Sequence, residues 1–250
     1  MLQSMFLKPR RYIVVSNYIS LSTALFLMTK NENFDRNEIT SLIAAAGSGM
    51  RLGGIPKAFL KHRGRTLLEH SVKYLANGST RLLAGLPEAH VEYANTLIAG
   101  TNTQCLAGGD TKRETISILL DQCVTEYVIV HDVAVLAPPP SLLTRVLGTL
   151  SNSNVGAVVP VVSQIVRGAM ATRDKTDLMT SSVDRERLVM SQSPQAYRTS
   201  LLRKALKNIK QDESGLYALV FHDGGKVKLI DSLSTQVKIT YPEDLELLKQ

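Results

Sequence analysis

Residues 44–60, AAAGSGMRLGGIPKAFL, hold the side chains and spacings best suited to chemistry. Gly47, Gly49 and Gly53 follow an apolar run at 41–46, with Arg51 and the pair Pro56-Lys57 close behind. Glycines let backbone N–H groups approach phosphate oxygens, and nearby cations neutralise a polyphosphate. The pattern reads as a nucleoside triphosphate site. It is not a Walker loop, because Lys57 lies between Pro56 and Ala58 rather than in a Gly-Lys-Ser/Thr ending. Nor is it a dinucleotide fingerprint: the glycines are spaced G-x-G-x-x-x-G, one residue too long, and Glu69 falls inside a helical stretch. Taken alone, such a turn also reads as a plain strand-to-helix connection, and Arg51 and Lys57 are what set it apart.

A second constellation lies further on. Gly108-Gly109-Asp110 stands between a strand and a helix, where backbone amides face a ligand at a helix N-terminus. His131-Asp132 closes the next apolar run. In an open α/β sheet the carboxyl ends of the strands line the ligand crevice. A carboxylate there suits a divalent cation carried on phosphates, so Asp132 is the candidate Mg²⁺ contact. Its plain alternative is a turn or cap residue. His131 reads as a packed or backbone-bonded histidine, and the remaining histidines show no ligand spacing.

The elements that must position these residues follow from periodicity. Apolar runs at 41–46, 80–85, 90–98 in part, 103–106, 127–131, 155–162 and 227–230 predict strands. Helical patterns lie at 66–76, 111–122, 140–150 and 200–209, with a closing helix begun by Pro242. Asp110 and Thr111 are able to cap the second of these, and Pro138-Pro139-Pro140 opens the third. Alternation of strand and helix predicts an α/β fold, a mainly parallel central sheet flanked by helices. Residues 163–185 are polar and read as a protruding β-arm.

The chain has 250 residues and a net charge of +7 from 29 basic and 22 acidic side chains, enough length for a substantial core. The bases are scattered without a Lys/Arg tract and aromatics are few, so nucleic acid is not an expected partner. Cys105 and Cys123 have no C-x-x-C spacing, which indicates neither zinc nor a disulfide framework. Residues 1–31 lack Asp and Glu but carry Lys8, Arg10, Arg11 and Lys30, and their apolar pieces are too short to span a bilayer. Residues 1–38 therefore read as an extension, a leader or a misplaced start before Met28, ahead of a domain at 39–250. The expected compartment is the cytoplasm, or a plastid if the extension is a transit peptide.

Taken in order, AAAGSGMRLGGIPKAFL, GGDTKRETI, VIVHD, VDRERL with SQSPQAY, and QVKITYPEDL resemble the 2-C-methyl-D-erythritol 4-phosphate cytidylyltransferases. The likeness runs from about residue 40 to the C-terminus. It implies a Rossmann-like nucleotidyltransferase fold, a homodimer clasped by the arm, and CMP transfer from CTP to methylerythritol phosphate with Mg²⁺. It gives Arg51 and Lys57 the pentavalent phosphorus, and Arg185 and Lys238 the acceptor phosphate. Ala45, Ala46, Gly47, Gly109, Asp110 and Thr115 take CTP, and Asp132 the metal. The sequence departs from the pattern at Val135 (usually Arg), Ser163-Gln164 (Asp-Thr), Gln211 (Thr), Ser193 (Thr) and Lys112 (Arg). The changed arm keeps ribitol 5-phosphate open as acceptor, and the lost groups keep open a silent nucleotide-binding homologue.

Overall fold

Strand β1 (Ile39–Ala44) sets the architecture, because its side chains alternate between two separate cores. Ile39 and Ile43 face one, while Leu42 faces the other. A strand buried on both faces is what a parallel sheet between helical layers demands. In a computed structural model of the chain, residues 34–47, 49–136, 138–163, 170–208, 215–232 and 236–249 are described. Residues Asn33–Gln250 form one compact unit. Residues 1–33 of the expected extension lie outside the described residues, as do Gln164, Gln211 and the side chain of Arg185.

After β1 come the short hairpin β2 (Lys61–His62) and β3 (Arg65–Thr66), then helix α1 (Leu67–Leu75) and β4 (Arg81–Leu86). Next are α2 (Val91–Leu97), β5 (Thr103–Ala107), α3 (Lys112–Asp121), β6 (Tyr127–Asp132), β7 (Val135–Leu136) and α4 (Pro140–Ser151). The chain continues through β8 (Ala157–Ser163), β9 (Met170–Arg173), β10 (Met179–Val183), β11 (Val189–Ser191) and β12 (Gln195–Arg198). It ends with α5 (Thr199–Asn208), α6 (Leu216–His222), β13 (Val227–Asp231), β14 (Val237–Lys238) and a 3₁₀ turn, Pro242–Lys249.

Strands β5, β4, β1 and β6 lie side by side and all run parallel. Strand β12 pairs antiparallel with both β6 and β8. Val158 pairs with Ala196 and Lys228, and Val161 with Ser191 and Asp231, so β11 and β12 share one edge of β8 and β13 takes the other. Helices α1, α2 and α4 cover the first core, and α3, α5 and α6 the second. From β1 the chain steps outward through β4 to β5, then returns to the far side of β1 as β6. That reversal opens a crevice at the carboxyl ends of β1 and β6.

One expected strand is a helix. Residues 90–98 form a 3₁₀ turn at Glu88–His90 followed by α2. Val91, Ala94 and Ile98 all reach the first core, a spacing of three to four residues that fits a helix and not a strand. The predicted closing helix is the tighter 3₁₀ turn, its start held by Asp244, which accepts from the N–H groups of Thr240 and Tyr241 at 2.7 and 2.9 Å. The arm is present as the antiparallel hairpin β9–β10. Its turn is tied by Asp174, whose carboxylate accepts from the Thr176 and Leu178 N–H groups.

Candidate active site

Local sequence explains how each element delivers its side chain. Beyond β1, the Ala45 N–H donates to Gly85 O at 2.9 Å, carrying the ladder into the loop. Gly49 then takes a left-handed conformation at φ 67°, and a Cβ there would lie 1.9 Å from Ile55 O. Only glycine closes this loop on itself. The following 3₁₀ turn buries Leu52 and leaves Arg51 exposed, its guanidinium 5.8 Å from the centroid of the Tyr241 ring. Pro56 leads into a second 3₁₀ turn, anchored by buried Ala58, which presents Lys57. Its ammonium donates to Ile239 O at 2.8 Å, joining the loop to the far end of the sequence.

Past β5, the chain turns through Gly108-Gly109-Asp110 into α3. Thr111 caps that helix in a capping box with Glu114. Thr115 is buried, and its hydroxyl accepts from the Gly109 N–H at 3.2 Å and lies 3.0 Å from Thr111 O. The hydroxyl therefore supports the glycine turn from beneath.

Asp132 ends β6, and everything around it holds the carboxylate in place. One oxygen accepts from the Ala134 N–H at 3.1 Å. The other lies 2.9 Å from the Lys238 ammonium and 3.8 Å from that of Lys112. Lys238 arrives on β14, which pairs with β7 so that Lys238 sits beside Val135. The Asp132 N–H donates to Ser193 Oγ at 3.1 Å, and that hydroxyl lies 2.9 Å from His131 Nδ1. The Ser193 hydroxyl thus bridges the strand end and the imidazole, accepting from the Asp132 N–H and sharing a hydrogen bond with His131. His131 is thus the packed residue the sequence suggests, bonded to a side chain rather than to backbone.

Burial alone would raise the Asp132 carboxyl, but Lys112 and Lys238 outweigh it and hold it at about 2. Burial pushes the Lys57 ammonium below its ordinary range; Asp132 opposes this, and Lys238 and Arg51 add to it. Lys112 moves the same way, again mainly through burial. Half of its side chain is open to solvent, so solvent screens part of that effect. His131, fully enclosed, is lowered to about 4.

These residues line one cavity of about 210 Å³. Ala45, Ala46, Gly47, Arg51, Lys57, Gly109, Asp110, Thr115, Asp132 and Lys238 all border it, so ten predicted residues from four separate segments converge. Arg185 lies in the turn Arg185–Arg187 after the arm, and its side chain is outside the described residues. Lys112, absent from the predicted set, lines the cavity too; its position at the first turn of α3, directly after Gly-Gly-Asp, is the signal that could have found it. A second cavity of about 350 Å³ adjoins, bordered by Ser193, Tyr217, Gln236 and Val135 and sharing Lys112, Asp132 and Lys238 with the first. The ion triad is therefore the wall common to two chambers. With four cations against two carboxylates, the first chamber is suited to a highly anionic ligand.

The profile of the 2-C-methyl-D-erythritol 4-phosphate cytidylyltransferase family matches residues 39–249. The chain belongs to that family. A cytidylyltransferase of this name from Thermus thermophilus is 36% identical over 215 residues, spanning 84% of this chain and 95% of the relative. One from Rhodococcus opacus is 34% identical over 223 residues, spanning 86% and 95%. The crystal structure of a Thermus thermophilus cytidylyltransferase superposes with a TM-score of 0.69 at 32% identity, covering 84% of this chain and 96% of that one. A structure from Anaerococcus prevotii shares the fold at a TM-score of 0.75 and 19% identity, covering 87% and 97%.

Proposed function

We propose that this cytidylyltransferase transfers CMP from CTP to 2-C-methyl-D-erythritol 4-phosphate, releasing pyrophosphate. The observation that carries the reading is the pair of chambers meeting at Lys112, Asp132 and Lys238. The glycine-loop chamber takes the triphosphate, and its neighbour takes the sugar phosphate. A phosphate oxygen of the acceptor attacks the α-phosphorus of CTP; that P–O bond forms as the bond to the β-phosphate oxygen breaks. Phosphoryl transfer of this kind needs positioning and charge stabilisation more than covalent chemistry. Arg51 and Lys57 stabilise the charge growing on the α-phosphate, while Lys238 and Arg185 hold the acceptor phosphate. The backbone at Ala45, Ala46, Gly47, Gly109 and Asp110 grips the nucleotide, with Thr115 bracing the Gly109 turn.

Among the described residues no group of three or more His, Cys, Asp or Glu side chains gathers to hold a metal. The donor set fits Mg²⁺ that enters on the triphosphate, with Asp132 as its protein contact and neutralised phosphate charge as its contribution. The arm is taken as the clasp of a homodimer. No helix among the described residues is long and apolar enough to cross a membrane, and the cytoplasm is the assigned compartment. The test is direct. Purified protein is given CTP, Mg²⁺ and either methylerythritol phosphate or ribitol 5-phosphate, and pyrophosphate is measured. Release with the first acceptor is expected. Release only with ribitol 5-phosphate moves the assignment to that substrate, and release with neither overturns it.

A further inference from the structure

A further cavity of the described chain lies apart from the two used for catalysis. It measures about 570 Å³, within the range of roughly 300–1,000 Å³ typical of small-molecule sites, and shares no lining residue with either chamber of the active site. It lies at the opposite end of the sheet. Leu82 and Thr103, near the amino ends of β4 and β5, border it, whereas the catalytic loops leave the carboxyl ends of β1, β5 and β6.

Its chemistry is divided. Val72, Leu82, Leu97 and Ile98 supply an apolar floor. Arg36, Arg65 and Lys73 stand at the rim, all exposed, against a single carboxylate, Glu69. That carboxylate is already committed, accepting from the Thr66 N–H and hydroxyl at 2.7 Å each. Arg65 and Lys73 have no ion-pair partner within 4 Å among the described residues. The hydroxyl of Thr103, also in the lining, is buried without any hydrogen-bond partner. A buried polar group left unpaired costs stability, and natural folds rarely carry one without a reason.

We propose that this cavity is a second ligand site for a small organic phosphate with a short hydrocarbon body, distinct from the nucleotide and acceptor sites. The apolar floor takes the hydrocarbon, and Arg65 and Lys73 take the phosphate. Ser79, in the cavity wall, shares a 2.7 Å hydrogen bond with Ser41 of β1, the strand that leads into the glycine loop.

Calorimetric titration of the full chain with hexyl phosphate, hexanol and inorganic phosphate tests the site. Hexyl phosphate should bind saturably, more tightly than either fragment, and with unchanged affinity when CTP is saturating. Lys73→Glu should weaken it about tenfold, and Ala76→Phe, at an exposed position in the lining, should weaken it by occluding the cavity. Both variants should keep the wild-type melting temperature and cytidylyltransferase rate. No saturable binding, displacement by CTP, inorganic phosphate matching hexyl phosphate, or affinity untouched by both substitutions each overturns the proposal.

Discussion

Replacing Asp132 by Asn isolates the charge at the centre of the triad. The amide oxygen can still accept from the Ala134 N–H, and the Asp132 N–H keeps its bond to Ser193, so geometry is conserved while the charge is removed. Three ammonium groups, Lys57, Lys112 and Lys238, then face one another with their nearest carboxylate gone. The carboxyl falls from 3.8 to about 2 on folding, which is worth about 2.5 kcal/mol at neutral pH. The lysines do not mirror that gain. Lys57 and Lys112 are both lowered because burial costs them more than Asp132 returns, so the net value of the triad lies below that figure. A loss of about 1–2.5 kcal/mol is therefore expected, or roughly 2–10 °C in melting temperature for a chain of this size.

The sign follows from the direction of the shift. A carboxyl whose pKa is depressed by folding stabilises above its unfolded value, and that contribution fades as pH falls from about 4 to about 2. Urea unfolding of wild type and Asp132→Asn should differ by the same amount at pH 7 and pH 5, and the gap should narrow at pH 3. CTP supplied without metal should raise the melting temperature of the variant by more than that of the wild type, because the triphosphate replaces the missing anion. Equal stability at pH 7, or a gap that does not shrink on acidification, would refute the reasoning.

Arg51→Ala and Lys57→Ala should each lower kcat about 10²–10³-fold, the usual loss for one charge-stabilising donor, with a smaller change in KM; steady-state pyrophosphate release measures both. Gly49→Ala should destabilise by about 2 kcal/mol or more, since the new methyl meets Ile55 O in a conformation that L residues avoid. Ser193→Ala should cost about 1–3 kcal/mol by leaving the Asp132 N–H and the His131 ring unpaired. Ser193→Thr, which keeps the hydroxyl, should restore both stability and rate. Removing Mg²⁺ with EDTA should abolish turnover while Asp132→Asn raises the Mg²⁺ concentration needed for half-maximal rate; an unchanged metal requirement in that variant would remove Asp132 from the metal's contacts.

The sheet was legible wherever one strand carries its own signal. Runs such as Leu42-Ile43 and Val128-Ile129-Val130 are buried on both faces, so their apolar character is continuous and needs no partner to be recognised. Strand β12 escaped because its four residues, Gln195–Arg198, are mixed in character and become a strand only by filling the gap between β6 and β8. The error at 90–98 has the opposite origin. A short apolar segment is compatible with either period, and only the depth of Ala94 and Ile98 in the first core decides it.

At the site, the glycine loop and the strand-end aspartate could be read because local backbone chemistry demands them. The meeting of Lys57 with Ile239 could not, since 182 residues separate the two and neither segment hints at the other. Topology rather than sequence separation explains why Lys112 was passed over. Its importance comes from Asp132, which it meets only when β5 and β6 lie on opposite sides of β1 and end at the same edge. A lysine at the first turn of a helix is ordinarily a solvated charge, and here topology turns it into part of the wall between two anionic substrates. Each lysine near that wall repels the others, and Asp132 makes the arrangement tolerable before any nucleotide arrives. Binding of the triphosphate then competes for cations that the protein has already gathered, so part of the electrostatic cost of assembly is met during folding rather than at each turnover.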